Sequence, residues 1–73
     1  MVNWHSMNLI YAFLYYRESE PMLLGQWTDE INSLLPYNLS KSRRQVAKIF
    51  RSFSSVDDFK IVREGEEIYK VVR

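Results

Sequence analysis

The spacing of apolar residues changes at positions 56–58, and this change constrains the fold more than any other feature. Before it, four apolar residues fall at i, i+3, i+4 and i+7 on one face of an α-helix: Val46, Ile49, Phe50 and Phe53. After it, the β-branched and aromatic runs 59–63 and 68–72 flank an acidic loop that contains a glycine. The sequence therefore predicts a helix over 42–55 and a β-hairpin over 59–72.

The predicted helix 42–55 has a capping signal at its start and a basic outer face. Ser42 and Gln45 have the spacing of a capping box, in which each side chain binds the other residue's backbone N–H. Positions 41–51 contain five basic residues and no acidic one: Lys41, Arg43, Arg44, Lys48 and Arg51. This pattern is typical of a helix that enters the DNA major groove, and also of helices that carry cations for solubility alone.

Two further helices are predicted upstream, over 6–17 and 24–35, and a proline follows each of them. Between them, residues 22–23 form a short extended segment that can pair with the later hairpin as an edge strand. The predicted fold is therefore mostly α with a small antiparallel hairpin, an α+β domain. Its order is helix, short strand, helix, tight turn, helix and hairpin, and all of residues 1–73 belong to this one domain.

Three tyrosines of the first predicted helix, Tyr11, Tyr15 and Tyr16, lie outside its apolar stripe. They either pack against the termini of the same chain or form a seam between two copies. Aromatic residues are enriched at protein interfaces, and a high aromatic content, 15% of this chain, favours an interface. We therefore predict a homodimer, and these tyrosines are the candidates for its contact.

Composition narrows the function classes. With 47% hydrophobic residues, a chain of 73 residues can build a core without disulfides, and the absence of Cys fits a reducing cytosol. The apolar run 7–16 is too short to span a membrane and resembles no targeting segment, so we predict a cytoplasmic protein. The net charge of +1 does not by itself favour nucleic acid, so only the distribution of charge can do so.

No catalytic or cofactor-binding pattern is present in the sequence. His5 is the only histidine and has no acid or thiol near it at ligand spacing, and two glycines cannot form a phosphate-binding loop. The acidic residues match no calcium-binding loop. We therefore predict that the protein is not an enzyme and needs neither a cofactor nor a metal.

The order of elements resembles the winged helix-turn-helix family, over about residues 7–73. Segment 21–31 is similar to the family's short strand and second helix, segment 42–50 to its recognition helix, and segment 59–72 to its wing. The resemblance implies a small DNA-binding protein, a transcriptional regulator, that binds double-stranded DNA by inserting helix 42–55 into the major groove.

The resemblance also implies roles for individual residues. Arg44 and Gln45 would read bases, because Arg can chelate guanine and Gln can chelate adenine. Eight further residues would lie at or near the phosphates: Ser40, Lys41, Ser42, Arg43, Lys48, Arg51 and, in the wing, Lys60 and Arg63. Lys70 of the wing is a further cation that could touch the DNA backbone.

The predicted wing tip departs from the family pattern. Glu64, Glu66 and Glu67 stand where members that use the wing on DNA usually have basic or small residues. Carboxylates near phosphates are repelled, so the tip either points away from DNA or the wing is structural. Because winged helices also serve as protein-protein interaction modules, a module that does not bind DNA is the alternative function.

Overall fold

The computed structural model of the protein describes residues 4–17, 20–53 and 56–72. Its elements in chain order are α1 (Trp4–Tyr15), β1 (Met22–Leu23), α2 (Leu24–Leu34), a 3-10 turn (Tyr37–Leu39), α3 (Arg43–Ser52), β2 (Lys60–Gly65) and β3 (Ile68–Val72). This α+β order is the predicted one, and it is compatible with a winged helix-turn-helix topology.

The helix boundaries lie within three residues of the predicted ones, and α2 begins at Leu24 as predicted. α1 begins at Trp4 and ends at Tyr15, after which a turn closes with a bond from the Arg17 N–H to the Leu14 carbonyl at 3.2 Å. α3 begins after Ser42 as predicted and ends at Ser52, and the predicted last two residues of this helix, 54–55, lie outside the described residues.

The three strands form one antiparallel sheet in which β3 is central, in the order β1-β3-β2. Met22 pairs with Tyr69, which confirms the predicted edge strand. β2 runs to Gly65, two residues further than predicted, because Gly65 still pairs with Ile68. Only two residues remain for the turn, and Glu67, rather than the glycine, has the left-handed φ of 59°.

The core lies between the three helices and the inner face of the hairpin. Its buried apolar side chains are Ile10, Leu14, Leu24, Trp27, Ile31, Leu35, Val46, Phe50, Phe59 and Val71. Two apolar side chains of the first two helices, Leu9 and Leu34, are instead 45% and 42% exposed. Both line a groove between α1 and α2.

Trp27 connects the helices to the sheet. Its indole N–H donates to the Tyr69 carbonyl of β3 at 2.9 Å, and its ring meets the Phe50 ring of α3 edge to face. Arg17 lies over the Trp27 ring, 5.5 Å from its centre, and pairs with Glu30 at 3.0 Å. A cation held between an aromatic ring and a carboxylate stabilises the junction of α1 and α2.

Tyr11 packs within the chain. Its ring lies 5.7 Å from the Phe53 ring and 5.3 Å from the Phe59 ring, and its hydroxyl donates to Asp58. This hydrogen bond, with partial desolvation, raises the pKa of Tyr11 above its usual range. Of the three tyrosines predicted at a dimer seam, only Tyr15 and Tyr16 therefore present exposed rings.

Candidate nucleic-acid interface

The capping box predicted at the start of α3 is confirmed. The Ser42 hydroxyl accepts from the Gln45 N–H at 3.2 Å, and the Gln45 side-chain oxygen accepts from the Ser42 N–H at 2.8 Å. Both bonds satisfy backbone donors that the helix leaves without an internal partner. The first turn of α3 is thereby held in a fixed conformation.

Asn32 of α2 holds the backbone just before α3 through two hydrogen bonds that the sequence did not predict. Its amide N–H donates to the Lys41 carbonyl at 2.9 Å, and its amide oxygen accepts from the Lys41 N–H at 2.7 Å. Leu39 packs against the core from the intervening turn, as its apolar character indicated. Since Lys41 directly precedes the cap residue Ser42, these contacts set the position of α3 relative to α2.

α3 and the hairpin enclose an open cleft of about 650 Å³. Four arginines line it, and we call it the arginine cleft: Arg43, Arg44 and Arg51 from α3, and Arg63 from β2. A smaller hollow of about 200 Å³ extends between Arg51 and Arg63 over the ring of Tyr69. The basic face of α3 therefore continues onto the hairpin without a break at their junction.

The two faces of the hairpin have different roles. Side chains alternate along a strand, so Ile61 and Arg63 face the core and the cleft, whereas Lys60 lies on the opposite face. The Arg63 guanidinium donates to the Gly65 carbonyl at 3.1 Å, which holds it near the hairpin end. The structure thus brings Arg63 into the arginine cleft but does not bring Lys60 there.

The carboxylates of the hairpin tip likewise lie on different faces of the hairpin. Glu64 pairs with Lys70 at 2.6 Å, and Lys70 lies opposite Val62 on the face that points away from the cleft. Glu66 is exposed in the turn, and among the three tip carboxylates Glu67 alone lines the cleft. One carboxylate, not three, therefore opposes the arginines.

The remaining candidate residues divide into exposed cations and side chains with structural bonds. Arg44 and Lys48 lie exposed one turn apart on α3 and form no ion pair with any residue that the structure describes. The Ser40 hydroxyl donates to the Tyr37 carbonyl at 2.8 Å, and Lys41 is half-buried.

Gln45 has a structural role that competes with its predicted one. A bidentate contact to adenine needs both the oxygen and the nitrogen of the amide, and the Gln45 oxygen already accepts the capping bond from Ser42. While the cap is closed, the amide is turned towards the Ser42 N–H rather than towards a base. Arg44, which is exposed and has no such bond, is the better candidate to contact a base.

Within 4–17, 20–53 and 56–72, no three His, Asp or Glu side chains come together as metal ligands. No helix in the same ranges has the length and apolar character needed to cross a membrane. Comparisons with models of protein families, with curated proteins and with solved structures found no match for this chain.

Proposed function

We propose that the protein binds double-stranded DNA, with α3 in the major groove and the arginine cleft against the phosphate backbone. In this proposal it is a winged helix-turn-helix protein that serves as a transcriptional regulator and acts by binding rather than by catalysis. Arg44 contacts bases, while Arg43, Lys48, Arg51 and Arg63 contact phosphates.

The observation that supports this function best is the convergence of three α3 arginines with Arg63 of β2 on one cleft. Arginine guanidinium groups bind phosphates through paired hydrogen bonds, and a stripe that spans two elements can follow a curved backbone. Of the tip carboxylates, Glu64 stays outside the cleft, because it is paired with Lys70 on the opposite face. Glu67 remains as one local negative charge within the cleft.

The test is a fluorescence-anisotropy titration of a labelled DNA duplex at several salt concentrations. Four phosphate contacts predict that log K falls against log salt with a slope of about −3 to −4. The double variant Arg44→Ala/Lys48→Ala should bind more weakly and lose about a quarter of that slope, because Lys48 is one of the four phosphate contacts and Arg44 contacts bases.

The matched control is Lys60→Ala/Lys70→Ala, which removes the same charge from the opposite face of the hairpin. It should retain nearly all of the slope and affinity, because neither side chain reaches the cleft. Equally weak binding by the wild type and by the Arg44→Ala/Lys48→Ala variant, without a salt slope, would refute DNA binding. That result would favour the alternative, a protein-protein interaction module that uses the exposed apolar side chains of α1 and α2.

A further inference from the structure

The outer face of α1 carries no charge. Helix Trp4–Tyr15 contains no Asp, Glu, Lys or Arg, although an outer helix face is normally charged or polar. From residue 6 onwards, where side-chain exposure is described, its exposed side chains are Asn8, Leu9, Ala12 and Tyr15, and the exposed Tyr16 follows directly. This composition is typical of a face that is covered by another protein surface.

The same face contains both a projection and a hollow. The Tyr16 ring is 78% exposed and stands beside a groove of about 480 Å³ between α1 and α2. Leu9, Phe13 and Leu34 provide apolar walls for this groove. A two-fold contact places the same patch on both partners, so a projection in one copy can fill the hollow in the other.

Charge and size also fit a contact between identical copies. A two-fold axis brings like charges together, and a neutral patch avoids that repulsion. Arg17, the one charged residue among the described residues that line the groove, is already paired with Glu30 at 3.0 Å in its own chain. Ala12 lies at the middle of the exposed face, where a small side chain allows two helices to approach to about 8 Å.

We propose that the protein forms a homodimer in which α1 packs against α1 of a second copy. Ala12 lies at the two-fold axis, and Tyr16 of each copy enters the α1–α2 groove of the other. The contact is confined to one helix and the edge of another, so it is a weak, reversible interface. It uses none of the arginine-cleft residues, and DNA is not needed to form it.

The first test measures molar mass in solution, without DNA, by sedimentation equilibrium from about 10 µM to about 1 mM, the range expected for a small interface. The wild type should rise from 8.8 kDa towards twice that value. Ala12→Glu places two carboxylates at the axis and should weaken the dimer at least tenfold. Val62→Glu is the control, since Val62 is 37% exposed on the hairpin and remote from the groove.

A second test, disulfide cross-linking, places no charge in the interface. The chain has no Cys, so single substitutions give unambiguous cross-links. Under oxidised glutathione, Ala12→Cys should form a disulfide-linked dimer, because residues at a two-fold axis meet their own counterparts within bonding distance. Val62→Cys should remain largely monomeric.

Two outcomes would overturn the proposal. A wild type of 8.8 kDa across the whole concentration range would exclude the dimer. A dimer that survives Ala12→Glu, or in which Ala12→Cys links no faster than Val62→Cys, would place the interface elsewhere. Because both tests omit DNA, their failure would leave DNA binding by the arginine cleft unaffected.

Discussion

Replacing Asn32 by alanine should both destabilise the protein and weaken DNA binding. The Asn32 amide makes two hydrogen bonds to the backbone of Lys41, at 2.7 and 2.9 Å, in a partly buried position. Alanine removes the side-chain donor and acceptor of both bonds. It preserves the helix, because its helix propensity is the highest of all residues. The loss is therefore confined to the junction between α2 and α3.

The size of the effect follows from the two bonds. Each intramolecular hydrogen bond contributes about 0.5–1.5 kcal/mol, and a partly buried donor left without a partner adds to the loss. We expect the free energy of unfolding to fall by about 2–3 kcal/mol. A chain of this size is stable by roughly 4–11 kcal/mol, so the variant should remain folded at room temperature.

Urea unfolding followed by circular dichroism measures this change. With a slope of about 1 kcal/mol per molar urea, the midpoint should fall by roughly 2 M. The control is Ser33→Ala in the same helix, whose hydroxyl is exposed and bonds only the Glu30 carbonyl of its own helix. It should change stability by less than about 0.5 kcal/mol.

DNA binding gives an independent readout of the same contact. In buffer without urea, where Asn32→Ala is folded, its affinity for duplex DNA should be lower than that of Ser33→Ala, because the start of α3 is no longer fixed. If Asn32→Ala proved no less stable than Ser33→Ala, the two bonds to Lys41 would not hold the helices together, and this reasoning would be wrong.

Three further substitutions probe other parts of the molecule. Glu67→Gly should raise the unfolding free energy by about 0.5–1 kcal/mol in urea titrations, by relieving the left-handed φ of 59°, and should tighten DNA binding in anisotropy titrations by removing a carboxylate from the cleft. Tyr11→Phe keeps the ring contacts but loses the bond to Asp58. Because that bond raises the Tyr11 pKa, its contribution to stability should be present from neutral pH up to pH 10.0 and be lost above it, so the difference from wild type should shrink there in unfolding measured against pH. Trp27→Phe should cost about 2–4 kcal/mol in the same urea assay, since it removes the bond to the Tyr69 carbonyl and leaves a cavity.

The elements of the fold were predictable because their signals are local. The 3.6-residue spacing of Val46 and Phe50 places both in the core, and the Ser42 and Gln45 pair forms the expected cap. The edge strand at Met22 also pairs as predicted. The helix and its cap depend on residues within a few positions of one another, where backbone geometry leaves few alternatives, whereas the pairing of Met22 with Tyr69 joins distant segments.

The features that were missed depend on distant or backbone partners. Asn32 binds the main chain of Lys41, nine residues away, and nothing in an amide side chain indicates which backbone groups it will meet. The turn at Glu67 was also missed, because glycine is the usual left-handed residue and the pairing of Gly65 with Ile68 shifts the turn onto the glutamates. Lys60 could have been separated from Arg63 by strand alternation alone.

The structural use of Gln45 bears on how a DNA-binding surface of this kind can be selective. With the Gln45 oxygen in the cap, Arg44 is the one α3 side chain proposed to read a base, and a single bidentate contact discriminates by about 1–3 kcal/mol, roughly 5- to 150-fold. In the proposed complex, the other cleft arginines would add affinity without sequence information, because phosphates carry none. If two copies bind together through α1, the discrimination of each copy multiplies with that of the other. In the proposed complexes, the arginine cleft would thus supply affinity and the α1 dimer would supply selectivity.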